Sequence, residues 1–253
     1  MIRRILLSTI TVLAGSALVA NAAPKEEVTD AAKKLGEAKN YSWKSETKNA
    51  AGGGGQGGGR GAAGPTEGKA EKDGVILITM TFGDNTTEAA IKGEKVAIKG
   101  QDGWQAAADA APGDAAPAAG GGGRGNIGRM FRNYKAPAAQ AQDLISKTKE
   151  IKKEEDAYTG ELTEEGVKQL MALGGGRPGG NANANAPDIT GAKGTVKFWT
   201  KDGVLSKYEY NVQGTRTING EERATNRTTT VEIKDVGSTK VEVPEEAKKK
   251  LEA

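Results

Sequence analysis

Apolar and polar side chains alternate most cleanly between Val75 and Phe82. Ile76, Ile78, Met80 and Phe82 fall on one face of an extended segment, and Val75, Leu77, Thr79 and Thr81 on the other. That two-residue period predicts a β-strand whose first, wholly apolar face points into a core or cavity. Residues 41–48 alternate in the same way, with Tyr41 and Trp43 on one side. Asp73-Gly74 reads as a tight turn before the first of these strands, and Gly93-Glu94 joins two further strands over residues 86–91 and 95–99. The C-terminal third reads as a meander over residues 194–200, 204–215, 228–234 and 240–243, with turns at Asp202-Gly203 and Asn219-Gly220. Its inward positions are Val196 and Phe198, then Tyr208, Tyr210 and Val212, then Thr229, Val231 and Ile233, then Val241 and Val243. One apolar and one polar face predict an antiparallel sheet wetted on one side.

Helical spacing appears in four places. Val28, Ala31, Ala32 and Leu35 share a face over residues 25–35, after Pro24 and before Gly36. Ala141, Leu144, Ile145 and Thr148 form a stripe that predicts a helix over 138–151. Thr163 caps a helix over 163–173, with Glu164 and Glu165 at its positive start and Gly174 at its exit. Pro244 opens a short last helix, acidic first and Lys-rich at its end. A short strand over 157–161 separates the two middle helices.

Three Gly-, Ala- and Asn-rich tracts, about 50–68, 106–128 and 174–185, carry too little apolar area to offset the entropy of ordering. They read as disordered insertions in a single domain over 23–253, because loop length costs little between ordered strands. The first 22 residues read as an export signal: Arg3 and Arg4, an apolar run to Ala20, and Ala20-Asn21-Ala22 with cleavage after Ala22. The run is too short and its end too small for a membrane span. The expected location is therefore periplasmic or otherwise exported.

The chain contains no Cys and no His. That excludes disulfides, a thiol nucleophile, a Cys lipid anchor, the Ser-His-Asp relay and the usual zinc sites. Its formal charge is +3, from 36 Lys and Arg against 33 Asp and Glu, and drops to +1 once Arg3 and Arg4 leave with the signal. So weak a balance gives no global field for nucleic acid or anionic lipid. Gly-Gly-Arg-Gly at 58–61 and 122–125 carries one Arg per tract and reads as flexible insertion rather than an RNA-binding element. Ser45 and Lys48, and Ser146 and Lys149, have the Ser-x-x-Lys spacing of penicillin-binding enzymes without their partner motifs. The Asn-x-Ser/Thr triplets at Asn40, Asn85 and Asn226 matter only in a eukaryotic secretory path.

Against this background the run Val196-Lys197-Phe198-Trp199-Thr200-Lys201-Asp202-Gly203-Val204 stands out, followed by Thr230-Val231-Glu232-Ile233-Lys234-Asp235-Val236-Gly237 and Val241-Glu242-Val243-Pro244. With the order of elements it resembles the LolA-like periplasmic lipoprotein carriers and the LppX- and LprG-type lipid-binding lipoproteins. The resemblance is strongest over 191–243. It implies an α+β fold: a curved antiparallel β half-barrel with helices covering the concave face, interrupted here by the Gly-rich loops. It implies a cavity for an acyl chain or similar hydrophobe, and brings no catalytic residue and no cofactor. The insertions and the missing Cys depart from the usual pattern, and no motif places the cavity Arg of such carriers at Arg216 or Arg223.

The expected function is an exported protein that carries a lipid or other hydrophobic small molecule non-covalently, as a monomer and not as an enzyme. The expected cavity lining is Trp43, Ile76, Ile78, Met80, Phe82, Phe198, Tyr208, Tyr210, Val212, Leu144 and Leu170, with the two middle helices as its cover. No catalytic residue, metal, cofactor, nucleic-acid partner or membrane insertion after cleavage is expected. The alternative is a structural or interaction module of the cell envelope whose core is filled and whose partner is another envelope protein, the aromatic residues then being ordinary core.

Overall fold

Strand β1 (Asn40–Asn49) lies at the centre of the sheet, and the chain builds outward from it twice. The computed structural model describes residues 23–50, 63–72, 74–82, 85–100, 103–107, 128, 130–173, 188–218 and 221–252. Helix α1 (Pro24–Glu37) precedes β1. From β1 a meander runs through β2 (Ala63–Glu71), β3 (Val75–Phe82), β4 (Asn85–Lys92) and β5 (Lys95–Gly100) to β6 (Gly103–Ala106) at one edge. The chain then passes a helical turn at Met130–Arg132 and helix α2 (Pro137–Ser146) to the opposite edge. There β7 (Thr148–Glu154) and β8 (Ala157–Leu162) begin a second meander. After helix α3 (Glu164–Leu173) it continues through β9 (Asp188–Lys201) and β10 (Val204–Ile218) to β11 (Glu221–Lys234), which pairs with β1. Helix α4 (Glu245–Glu252) ends the described chain. The result is one open, antiparallel sheet of 11 strands.

Strand alternation separates two faces. The front face carries Trp43, Ile78, Ala89, Val196, Phe198, Tyr208, Val212 and Val231, and packs against α1, α2 and α3. The back face carries Ala90, Ala97 and Trp104, and packs against Ala247 and Leu251 of α4. Helices α1, α2 and α3 therefore lie on the front face and α4 on the back. Helix α1 buries the stripe Val28, Ala31, Ala32 and Leu35 that its spacing defines. It is also tied to the β7–β8 edge: the Tyr158 hydroxyl donates to the Glu27 carboxylate, and Lys153 lies 3.2 Å from the same oxygen. The Tyr158 bond first, and then Lys153, hold the Glu27 carboxyl below its ordinary range.

Three elements differ from the sequence reading. Strand β2 includes residues 63–68, assigned by composition to the first Gly-rich tract. It pairs on both sides, with β1 and β3, and its Gly68 lies under the Trp43 ring. The second middle element is not one helix over 138–151: α2 stops at Ser146, where the Thr148 hydroxyl donates to the Leu144 carbonyl (2.7 Å), and β7 follows. A register shift between Thr148 and Ile151 puts these two buried residues three apart, so a bulged strand mimics helical spacing. Residues 240–243 form no strand, and they run to α4 on the back face. Thr163 caps α3 as expected, its hydroxyl accepting from the Gly166 N–H (3.1 Å). The export signal, most of the Gly-rich tracts and Asn219-Gly220 lie outside the described residues.

Candidate functional site

The front face is covered by two unequal sets of side chains. Over β1 and β8–β11, helices α1, α2 and α3 close a continuous core: Trp43, Phe198, Tyr208, Tyr210, Val212, Leu144 and Leu170 all belong to it. Phe198, Tyr208, Val212 and Leu144 are fully buried, as are Val167 and Met171 of α3. Helices α2 and α3 are thus built into this core. Over β3–β5 the same face carries Ile78, Met80, Ala89, Ile91 and Val96, with Ile98 half-buried, and is covered by Ala107 and the short stretch Met130–Tyr134. Phe131 of that stretch is 0% exposed. Ile76 and Tyr134 touch both sets and mark the seam between them. The Phe82 side chain lies outside the described residues. The expected lining residues thus fall into two groups, seven in the first core and Ile78 and Met80 in the second, with Ile76 between.

Phe131, Met130, Tyr134 and Gln140 escaped the sequence reading. Met130-Phe131 is an apolar pair just beyond the second Gly-rich tract, and Tyr134 follows in the same short stretch. The composition of the tract obscured this stretch.

At the seam a cluster of aromatic polar groups is buried. Trp43 stacks near Tyr134, with ring centroids 6.3 Å apart and an interplanar angle of 18°, and Tyr41 packs tilted against Trp43 at 5.8 Å. The Tyr208 hydroxyl donates to the Gln140 side-chain carbonyl, and the Tyr41 hydroxyl faces the backbone of Ala138 in the first turn of α2. The Tyr134 hydroxyl faces the Trp43 indole. The indole N–H itself, in a residue only 3% exposed, makes no well-formed hydrogen bond. Burial pushes the Tyr41 phenol up to about 12, and raises those of Tyr134 and Tyr208 further.

These shifts predict an alkaline transition. A buried phenol stays neutral in the fold and ionises readily once unfolded, so its contribution is intact below pH 10 and falls as pH rises toward 12. Each such phenol gives up about 1.4 kcal/mol per pH unit over that window. Absorbance at 295 nm should show Tyr41, Tyr134 and Tyr208 ionising together with loss of the circular dichroism signal. Smooth titration of every tyrosine near pH 10 in a folded protein would contradict it.

At the far end of the front face two arginines meet the C-terminus of α3. Arg216 donates to the Met171 carbonyl (2.6 Å) and Arg227 to the Leu170 carbonyl (2.6 Å). Cations suit the negative end of a helix, and these bonds satisfy carbonyls that the helix leaves open. Arg216 is nearly buried and its Nε has no partner. Arg223 is exposed and paired with Glu221 (3.0 Å).

Two open clefts lie on the back face. One, of about 470 Å³, runs between the sheet and the 242–244 segment, with Ser42, Lys44, Glu67, Lys69, Leu77 and Trp104 among its walls. The other, of about 560 Å³, lies beside Val75, Val243 and Leu251. Of the expected lining only Trp43 and Ile78 border the first. No helix among the described residues is long and apolar enough to cross a membrane. No group of three His, Cys, Asp or Glu side chains among them could hold a metal.

No protein-family model matches the chain, and no curated protein matches it in sequence. Among solved structures it is similar to the lipoprotein LppX of Mycobacterium tuberculosis, at 11% identity and a TM-score of 0.46, over 87% of this chain and 98% of that one. It is also similar to LprF of Mycobacterium bovis, at 8% identity and a TM-score of 0.43, over 87% of this chain and 95% of that one.

Proposed function

We propose that this protein is an exported carrier that binds a lipid or similar hydrophobe non-covalently, as a monomer and without catalysis. The ligand lies against β3–β5 on the front face, under the Met130–Tyr134 stretch. The observation that carries this reading is the contrast between the two halves of that face. Among the described residues, three helices cover one half, whereas one helical turn and Ala107 cover an apolar wall of Ile76, Ile78, Met80, Ala89, Ile91 and Val96 on the other. Strand β3 has eight residues, about 27 Å at the usual rise, which matches the reach of an extended acyl chain. Phe131 holds the place that a ligand chain takes when the stretch swings away. Each methylene buried there adds about 0.8 kcal/mol, less the cost of ordering ligand and cover. The 1–22 segment delivers the chain to the envelope, and the sheet bends into a half-barrel around the ligand.

Native mass spectrometry and lipid extraction on protein purified from its own host test the proposal. The expected result is a co-purifying hydrophobe whose mass is lost on delipidation. Protein that is reproducibly empty and that also fails to take up fluorescent fatty acids or acylglycerols would retire it in favour of a filled envelope module. That module should pull down one stoichiometric protein partner.

A further inference from the structure

The aromatic cluster at the seam holds one donor whose hydrogen bond is poorly formed. Six side chains converge there: Tyr41, Trp43, Tyr134, Gln140, Tyr208 and Tyr210. Tyr208 is engaged by Gln140 and Tyr41 by the start of α2, but the Trp43 N–H is buried without a good acceptor. A buried donor in this state carries most of its desolvation cost, and an oxygen acceptor brought to it recovers that cost. The group nearest to it, Tyr134, belongs to the same short stretch as Phe131 and spans both cores. When the stretch withdraws, the place of Phe131 and the place of the Tyr134 hydroxyl open together. One is apolar and the other offers a hydrogen-bond donor.

We infer that the polar end of the bound hydrophobe is an uncharged oxygen function, an ester or a hydroxyl, and that it accepts a hydrogen bond from the Trp43 indole N–H in the place the Tyr134 hydroxyl now occupies. This rests on the carrier reading above. The charge argument is direct. Among the described residues, no lysine or arginine is among the groups acting on the Tyr41, Tyr134 and Tyr208 phenols. The neighbouring cation Lys135 is paired with Asp143 (2.9 Å), and Arg216 and Arg227 are bonded to α3 at the far end of the face. A carboxylate or phosphate drawn into the cluster therefore meets no counter-charge among its described side chains, since Arg132 of the same stretch is exposed, and burying a charge so costs far more than a hydrogen bond returns. Burial already disfavours the negative form of these phenols, and it acts on a ligand's anion in the same sense.

The test compares monoolein with oleate, which share one chain and differ in the head, on the full protein at neutral pH. Monoolein is expected to bind at least ten-fold more tightly. Trp43→Phe, which keeps a ring and removes the N–H, is expected to weaken monoolein about five-fold and leave oleate unchanged. If that variant does not fold, the indole N–H resonance of Trp43 in ¹⁵N-labelled protein serves instead: it should move on adding monoolein and not oleate. Equal binding of the two lipids, tighter binding of oleate, or a Trp43 resonance that monoolein leaves in place overturns the inference while leaving the carrier reading intact. Binding of neither lipid retires the carrier reading and the inference with it.

Discussion

Gly68→Ala is expected to cost this protein about 3 kcal/mol of stability, although it adds a single methyl group to a strand. A Cβ built at Gly68 meets the Trp43 ring at 2.1 Å (Cζ2), 2.5 Å (Cη2) and 2.6 Å (Cε2). The indole is already packed, since Trp43 is 3% exposed and lies against the rings of Tyr41 and Tyr134. Either the ring leaves its rotamer or β2 parts from β1, where Gly68 stands opposite Trp43. Propensity alone would have the opposite sign, because alanine orders more cheaply than glycine in a strand. Urea denaturation of Gly68→Ala, Trp43→Ala and the double variant separates these effects. The glycine substitution should be costly with Trp43 present and nearly neutral without it. A cost that persists in the Trp43→Ala background would show that β2 has another reason for its glycine.

This pair shows where sequence reading of the fold ends. The strand of Ile76, Ile78 and Met80 was legible because each of its front-facing residues is itself apolar, and β9–β11 were legible for the same reason. The sequence of β2, Ala-Gly-Pro-Thr-Glu-Gly-Lys-Ala-Glu, contains no such row. Its front positions include Gly68 and Ala70, and the volume above Gly68 is filled from the neighbouring strand by Trp43. A strand whose core is supplied by its partner has no periodicity of its own to read. The opposite error arose at 240–243, where Val241 and Val243 alternate like a strand but run beside the back face without a ladder partner. The bulge in β7 imitated a helix because Thr148 and Ile151 are buried three apart. The aromatic side chains on the strands were legible, and those of the stretch that crosses between the sheet edges were not. Trp43, Tyr208 and Tyr210 stood out as aromatics on alternating strands. That Tyr134 lies on Trp43, and that Phe131 joins the cluster of Ile78 and Ile91, is set by how the chain crosses from one sheet edge to the other, which local pattern does not record.

Phe198 and Phe131 are both 0% exposed, yet their truncation should have different consequences. Phe198 stands on β9 between Tyr208 and Tyr158, its partners on the two adjoining strands, with its ring centroid 6.3 Å from that of Tyr208. Strands on both sides and helices above prevent collapse around a vacated ring, so Phe198→Ala should cost about 4 kcal/mol. Against the usual 5–15 kcal/mol of a folded domain, that leaves the protein near its limit. Phe131 sits on a helical turn with Gly128 on one side and Asn133 on the other, outside the sheet and outside α1–α3. Its stretch can settle onto the β3–β5 wall when the ring is removed, so Phe131→Ala should cost about 3 kcal/mol, the low end for such a truncation. If Phe131 holds the ligand's place, the same substitution also removes the competitor for that place, and a fluorescent acylglycerol should bind several-fold more tightly. Thermal unfolding and ligand titration on the two variants decide the matter together. A Phe131→Ala protein destabilised as much as Phe198→Ala, with unchanged or weaker ligand uptake, would make Phe131 ordinary core. The separation of the two halves of the front face, on which the carrier reading depends, would then lose its functional meaning.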